Sequence, residues 1–462
     1  LIQERINEMK RTQYNYLKTW LTSLDRRPLI IRGARQVGKT WLVRHFAEQS
    51  GKRLIELNFE KNPEHASLFA SNDPQQILLN LSALTLQPIE PQESLLFLDE
   101  IQAIPELLSK LRWFAEDLPA LSVIAAGSLL EFVLAEHIFS MPVGRITYLY
   151  LEPLSFEEYL LAHQQEGLLN YLVSFDGSTD IPIAIHEKLT LLFKEYCLVG
   201  GLPRAVSSWV AERSLSRVYQ IHHDLLGTYR DDFAKYRGRI AIERLEEIFM
   251  TTPKMLGRKF VFSHVNREVQ SAAVKQGLDL LEKARICHRV RSTSANGIPL
   301  GAEVRARYFK EIFLDVGLCA TLLGLNLNQL NAIDDITLIN QGGMAEQVVG
   351  QLLRTIEPPY VQPSLYCWER EEPRSNAEVD YIIQHGCNII PIEVKAGSTG
   401  SLKSLHYFMH VKGLKQAVRI NADHPSVVVV DTKIHTGEVV KYQLLSFPFY
   451  LIGQLHRLLD RV

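Results

Sequence analysis

Eight consecutive residues, Gly33-Ala34-Arg35-Gln36-Val37-Gly38-Lys39-Thr40, fill the pattern G-x-x-x-x-G-K-[ST] at every fixed position. Each residue type has a task in phosphate chemistry. Glycines let backbone N–H groups close around phosphate oxygens, and the N-terminus of a following helix adds partial positive charge. Lys39 can bridge a β- and a γ-phosphate, and the Thr40 hydroxyl can ligate Mg²⁺. Further on, the apolar run Leu95-Leu96-Phe97-Leu98 ends in Asp99-Glu100. A buried strand that delivers two carboxylates suits an Asp99 that holds Mg²⁺ through water and a Glu100 that polarises an attacking water. A chance glycine turn or a helix cap would explain either motif alone. The two together, in this order and spacing, point to ATP with Mg²⁺ as the ligand.

Other polar residues could join that chemistry. Ser128 follows Gly127 after the run Ser122–Ala126, where its hydroxyl could reach a γ-phosphate; capping the next helix is the plain alternative. Arg145, in Met141-Pro142-Val143-Gly144-Arg145, could serve as an arginine finger, including across a subunit interface; its alternative is an ordinary loop arginine. Gly200-Gly201-Leu202-Pro203 reads as a tight turn between helices, and Arg204 after it could reach nucleotide from a lid. In Ile221-His222-His223-Asp224 the adjacent histidines would diverge by about a hundred degrees on a helix, a poor metal site. Both read as surface or lid residues.

A second constellation lies near the C-terminus. Val379–Ile383 and Ile389–Lys395 read as a β-hairpin around His385-Gly386. In the second strand Glu393 and Lys395 alternate with apolar residues and share a face. Pairing across the turn brings Asp380 near Glu393, and Glu346 on a preceding helix could complete the cluster. An Asp and a Glu can hold a divalent metal while Lys positions water for attack on a phosphodiester. The arrangement resembles the PD-(D/E)XK nuclease motif, carried here by Asp380, Glu393 and Lys395, with Glu346 a looser match. Val379 stands where that pattern has Pro. Cross-strand salt bridges, or a nuclease fold kept only for binding, are the alternatives.

These residues need elements to hold them. The first 150 residues alternate apolar strands with helical stretches, as a parallel α/β sheet does. The strands expected are Pro28–Arg32, Arg53–Phe59, Ser94–Leu98, Ser122–Ala126 and Ile146–Leu151, with helices from near Lys39, Pro105 and Leu129. Leu1 to Lys18 reads as an amphipathic leading helix without a signal-peptide core. A helical stretch follows from about Ser155 to Arg239. Residues 254–310 then carry an excess of about eight positive charges, a footprint for phosphate backbone. Their order of helix, polar turn, helix and two β-like stretches suits a winged helix-turn-helix. A basic face docked on acidic parts of the same chain is the alternative. Aromatic residues are sparse there, which favours duplex DNA over stacked single strands.

Composition narrows the class. At 462 residues the chain can hold two to four domains, and a net charge of -2 gives no nucleic-acid signature for the whole molecule. Five scattered cysteines without a CxxC pair fit a reducing cytoplasm. No apolar run approaches the roughly 18 residues that cross a bilayer. A cytoplasmic protein without membrane contact is expected, and the lack of flexible linkers predicts that its domains pack on one another.

The whole set of motifs resembles the bacterial and archaeal AAA+-type ATPases that end in a domain of unknown function with nuclease-like features. The likeness rests on Ile31–Thr40, Phe97–Gln102, Gly144-Arg145, Pro153–Glu158, Gly200–Pro203, Leu314–Leu318, Ala377–Asp380 and Ile392–Lys395. It implies an α/β P-loop AAA+-like core with N-terminal helix (1–152), a helical lid (153–240), a winged-helix-like basic domain (241–310) and a PD-(D/E)XK-like α/β domain (311–462). It implies ATP binding but no settled biological role; the residues taken together lead us to expect ATP hydrolysis whose nucleotide state controls a DNA-facing module. A regulatory switch that binds a protein partner, and a metal-dependent endonuclease licensed by ATP, are the rival expectations. Homo-oligomers also fit the resemblance, since AAA+ relatives often form rings.

Overall fold

The computed structural model describes residues 9–128, 130, 142–236, 240–325, 342–371, 377–396 and 401–461. Of the leading helix expected over Leu1 to Lys18, residues 1–8 lie outside the described set; helix α1 runs over Gln13–Thr22. Five strands follow: β1 (Leu29–Arg32), β2 (Arg53–Asn58), β3 (Ser94–Asp99), β4 (Ser122–Gly127) and β5 (Thr147–Tyr150). They form one parallel sheet in the order β2-β3-β4-β1-β5. Every residue of β3 and β4 is buried, as expected of strands covered on both faces. Between the strands run α2 (Lys39–Ser50), α3 (Pro74–Thr85) and α4 (Leu107–Asp117). The sequence reading missed α3, although Asp73 caps it and Pro74 occupies its first turn. The helix expected from Leu129 falls mostly outside the described residues.

The chain then turns helical: α5 (Phe156–Ala162), α6 (Glu166–Ser174), α7 (Ile183–Val199), α8 (Pro203–Glu212) and α9 (Leu215–Asp232). Helix α5 opens with a capping box of Ser155 and Glu158. The same Glu158 accepts from the Thr12 backbone N–H at 2.7 Å and pairs with buried Arg11 at 3.4 Å. One carboxylate therefore starts α5 and ties the N-terminal segment to it.

Next come α10 (Ile242–Thr251), the short α11 (Phe262–Val265) and α12 (Ser271–Lys283), then the antiparallel pair β6 (Cys287–Thr293) and β7 (Val304–Phe313). That hairpin does not stand alone. It belongs to an eight-stranded sheet ordered β12-β13-β11-β10-β9-β8-β6-β7. The other members are β8 (Leu365–Glu369), β9 (Glu378–His385), β10 (Asn388–Val394), β11 (Gln416–Asn421), β12 (Ser426–Lys433) and β13 (Val439–Pro448). Strand β7 runs through residue 310 without a break. The sheet is completed by α13 (Val316–Leu322), α14 (Gly343–Leu353) and α15 (Lys403–Lys412).

Helix α14 is buried along most of its length. Two of its glutamines, one turn apart, serve the backbone where β7 gives way to α13. Gln347 bonds both the N–H and the carbonyl of Phe313 at 2.8 Å, and Gln351 accepts the Val316 N–H at 2.7 Å. Buried amides are retained where they satisfy groups that would otherwise be orphaned. The largest of three apolar clusters runs from Met9 through helices α5–α9 to Leu459, so the successive parts pack on each other as expected.

Candidate nucleotide site and carboxylate cluster

The stretch Gly33–Thr40 joins the end of β1 to the start of α2, with Gly38 at φ 96° and Gln36 at φ 66°. At Gly38 that conformation favours glycine. At Gly33 it is space that matters: a Cβ there would lie 2.4 Å from the Leu151 carbonyl oxygen. Lys39 is buried and its Nζ donates to the carbonyls of Gly33 and Ala34, at 3.1 and 2.8 Å. The Thr40 hydroxyl donates to Asp99 Oδ2 at 3.1 Å, and Asn58 Nδ2 approaches the same oxygen at 3.3 Å. Burial, then the charge of Glu100, push the Asp99 carboxyl up to about 6. A buried acid beside a second acid and a hydroxyl is a donor set that a magnesium ion would relieve. The residues fit that ion.

Glu100 follows β3 in the left-handed region at φ 51°. Its Oε2 accepts from the Gln102 amide at 2.6 Å, and Gln102 lies against Gly127, where a Cβ would meet its Oε1 at 2.1 Å. Sequence reasoning quoted Gln102 but gave it no task; only its place two residues after Glu100 could have singled it out. Ser128 is buried at the end of β4, between the strands that carry Asp99 and the phosphate loop. Arg145 precedes β5, whose Thr147 is in register with Leu29 at the start of β1. It therefore lies at the other end of the strands from its own phosphate loop, and it is exposed and paired with Glu116 at 2.7 Å.

Helix α8 packs over this loop. A cavity of about 350 Å³ is lined by Arg35–Trp41 and Glu100 on one side and by Pro203, Arg204 and Ser207 of α8 on the other. Arg35 bonds both Asp232 oxygens, at 2.5 and 2.7 Å, and the Tyr229 hydroxyl donates to its carbonyl at 2.8 Å. Helix α9 thus grips the phosphate loop. His222 on that helix is buried, a correction to its surface reading: it bonds Thr321 Oγ1 and the Val199 carbonyl. His223 faces outward, as the helical divergence requires.

In the C-terminal sheet the hairpin forms as expected, with Asn388 opposite His385 and Ile392 opposite Tyr381. Asp380 Oδ2 accepts the Val394 N–H at 2.8 Å, and Lys395 pairs with Glu393 at 2.7 Å. Two further residues, absent from the sequence reading of this site, join it. Lys310 of β7 reaches Glu346 at 2.9 Å, and Glu378 and Asp380 at 3.4 Å each. Burial and then Asp380 push Glu346 up to about 7 and Glu393 up to about 8. Among the described residues no group of three or more His, Cys, Asp or Glu is placed to hold a metal ion.

The basic segment has much of its charge paired internally. Arg285 and Arg354 share buried Glu152, Arg289 meets Asp279 and Glu311, and Lys310 lies in the carboxylate cluster. Between α12 and the β6–β7 hairpin remains a groove of about 810 Å³, lined by Lys259, Lys275, Arg291, Arg305 and Arg307 among others. Four of these five are exposed. No described helix is long and apolar enough to cross a membrane.

A parallel α/β sheet with this loop and these two acids defines a P-loop ATPase-type domain. Residues 25–160 match the family model described as an AAA domain, so this part of the chain is AAA-like. Residues 190–329 and 341–445 match two domains of unknown function, DUF8612 and DUF4143. No curated protein matches the chain. Solved structures with some likeness include a Walker-type ATPase of Pyrococcus abyssi, 16% identical over 68% of this chain and 96% of that one, at a TM-score of 0.42. The ORC2 protein of Aeropyrum pernix, in ADPNP and ADP complexes, is 13% identical over 71% of this chain and 98% of its own, at 0.36. The ORC1 protein of the same organism, in complex with DNA, is 12% identical over 70% and 92%, at 0.28. Likeness at these scores carries no argument about function.

Proposed function

We propose that the chain hydrolyses ATP and that its nucleotide state controls a winged-helix and nuclease-like module facing duplex DNA. The observation that carries this reading is the closure of one cavity by two parts of the chain. Lys39, Thr40, Asp99 and Glu100 stand on the sheet, and the Gly200–Pro203 loop of the lid is held from outside by Asp315. Backbone N–H groups of Gly33–Thr40 would bind the phosphates, with Lys39 leaving its two loop carbonyls to neutralise them. Mg²⁺, held by Thr40 and Asp99, would supply charge neutralisation between phosphates. Glu100 would orient and polarise water, kept in place by Gln102. Ser128 would face the γ-phosphate and Arg204 would reach it from the lid. Arg145 could act only on the nucleotide of a neighbouring copy, because its own lies at the far end of the strands.

The order α10–α11–α12–β6–β7 supports the winged-helix reading, with the groove of Lys275, Arg291 and Arg307 as its phosphate-facing surface. The β9–β10 hairpin with Asp380, Glu393 and Lys395 supports the PD-(D/E)XK-like fold. Steady-state ATP hydrolysis by the wild type and Lys39→Ala, with and without duplex DNA at two salt concentrations, tests the whole. DNA-stimulated turnover lost in the variant is expected. Turnover indifferent to DNA would favour the second reading, a switch that engages a protein partner, which the internal pairing of Arg285, Arg289 and Lys310 also favours.

A further inference from the structure

A PD-(D/E)XK-like site implies a divalent metal held by the carboxylates of its hairpin. The donor set here does not fit one. Asp380 spends Oδ2 on the Val394 N–H and turns Oδ1 to Lys310. Glu393 gives one oxygen to Lys395, while its Oε2 is buried without a partner. Glu346 and Glu378 both turn to Lys310. An ammonium has three donors and no acceptor, and here three carboxylates from two elements converge on it. Lys310 is 2% exposed.

The placement follows from the packing of two strands on one helix. In strand order β7 and β9 are separated by β6 and β8, yet both wrap on α14. The Tyr381 hydroxyl of β9 donates to the Glu346 carbonyl at 2.7 Å, and Gln347 of α14 bonds Phe313 of β7. Lys310 therefore reaches the cluster from β7, on the side where α14 packs, with its stem buried. At that burial it cannot swing aside into water at small cost. A divalent ion brought to the same carboxylates would need oxygens at about 2.0–2.6 Å and would meet a positive charge already there.

We propose that Lys310 is the resident cation of this cluster, standing where a divalent ion would otherwise bind, so that the site takes up metal only when the Lys310 charge is removed. This stands apart from the nucleotide reading. It identifies a side chain outside the nuclease-like motif as the determinant of cation occupancy, and it argues against metal-dependent cleavage by the wild-type chain.

The test uses the full chain with Asp99→Asn in every variant, so that no metal signal comes from the nucleotide site. Mn²⁺ is titrated without nucleotide and the free ion is read by electron paramagnetic resonance. The Asp99→Asn protein and its Asp380→Asn derivative should give the same curve. Adding Lys310→Met should create one Mn²⁺ site per chain, at least tenfold tighter than any binding by the parent and abolished by Asp380→Asn. Its melting temperature should fall in chelator and rise again with Mn²⁺, since uncompensated buried carboxylates are left behind. An Asp380-dependent Mn²⁺ site with Lys310 intact overturns the proposal, and so does a folded Lys310→Met protein that binds no more metal than its parent. Should Lys310→Met fail to fold, the comparison of the first two proteins still decides.

Discussion

Asp315 and Gly201 meet across 114 residues of sequence: Asp315 Oδ2 accepts the Gly201 N–H at 2.7 Å. The other carboxylate oxygen takes the N–H groups of Gly317 and Leu318, and Gln351 donates to Oδ2 at 3.2 Å. Gly201 in turn accepts the Leu154 N–H through its carbonyl. A residue that follows β7 thus fixes the turn that starts the lid helix α8. Asp315→Ala would leave several buried N–H groups unpaired, and we expect a loss of about 2–4 kcal/mol in urea unfolding. Asp315→Asn, which keeps the shape, should raise KM for ATP more than it lowers kcat. Unchanged KM in that variant would separate this contact from nucleotide binding.

Gln102 gives a sharper test of the water-polarising role. Its amide nitrogen bonds Glu100 at 2.6 Å and its amide oxygen lies against Gly127. Replacing it with Ala frees Glu100 without touching the phosphate loop. Turnover of ATP should drop roughly tenfold with KM preserved, the pattern of an interaction made mainly in the transition state. A raised KM with kcat preserved would mean that Gln102 shapes binding instead.

The groove between α12 and the hairpin makes an electrostatic prediction. Lys275 and Arg307 are exposed on its two sides. Lys275→Glu and Arg307→Glu should each weaken duplex DNA binding irrespective of sequence and lower the slope of log K against log salt by about one or more. Binding that keeps its slope would move the contact surface elsewhere.

His222 makes stability depend on pH. Burial pushes its imidazole down to about 4, against 6.5 for the free side chain. Because the folded value is the lower one, the unfolded chain takes up the proton first. The neutral ring's contribution is complete above pH 6.5 and is lost as pH falls towards 4, by about 3 kcal/mol at most. Urea unfolding of the wild type should therefore lose more stability across that window than His222→Gln. Parallel curves would show that another group carries the acid sensitivity.

Much of the nucleotide site was legible because its residues are neighbours in sequence. Gly33–Thr40 and Asp99-Glu100 each sit at the end of an apolar strand, and strand and motif can be read together. What stayed hidden lies in long-range pairs. Nothing local marks Lys310 as a partner of Glu346, or Asp232 as the anchor of Arg35. The charge count over 254–310 overstates the free charge for the same reason: it could not see that Glu152 and Glu311 lie opposite Arg285 and Arg289. His222 was read from its helix alone, and the covering surface comes from Thr321, 99 residues away.

The eight-stranded sheet has a consequence for how this chain can be divided. Its hairpin Cys287–Phe313 and its later strands share one hydrogen-bonded ladder, with Val290 beside Leu365 and Ser292 beside Cys367. A fragment that began at residue 311 would lose β6 and nearly all of β7, baring the edge of β8. One that stopped there would carry a hairpin with no third strand. Neither half is a natural unit of expression, and a gene split at that point would yield two sticky edges in place of one soluble partner.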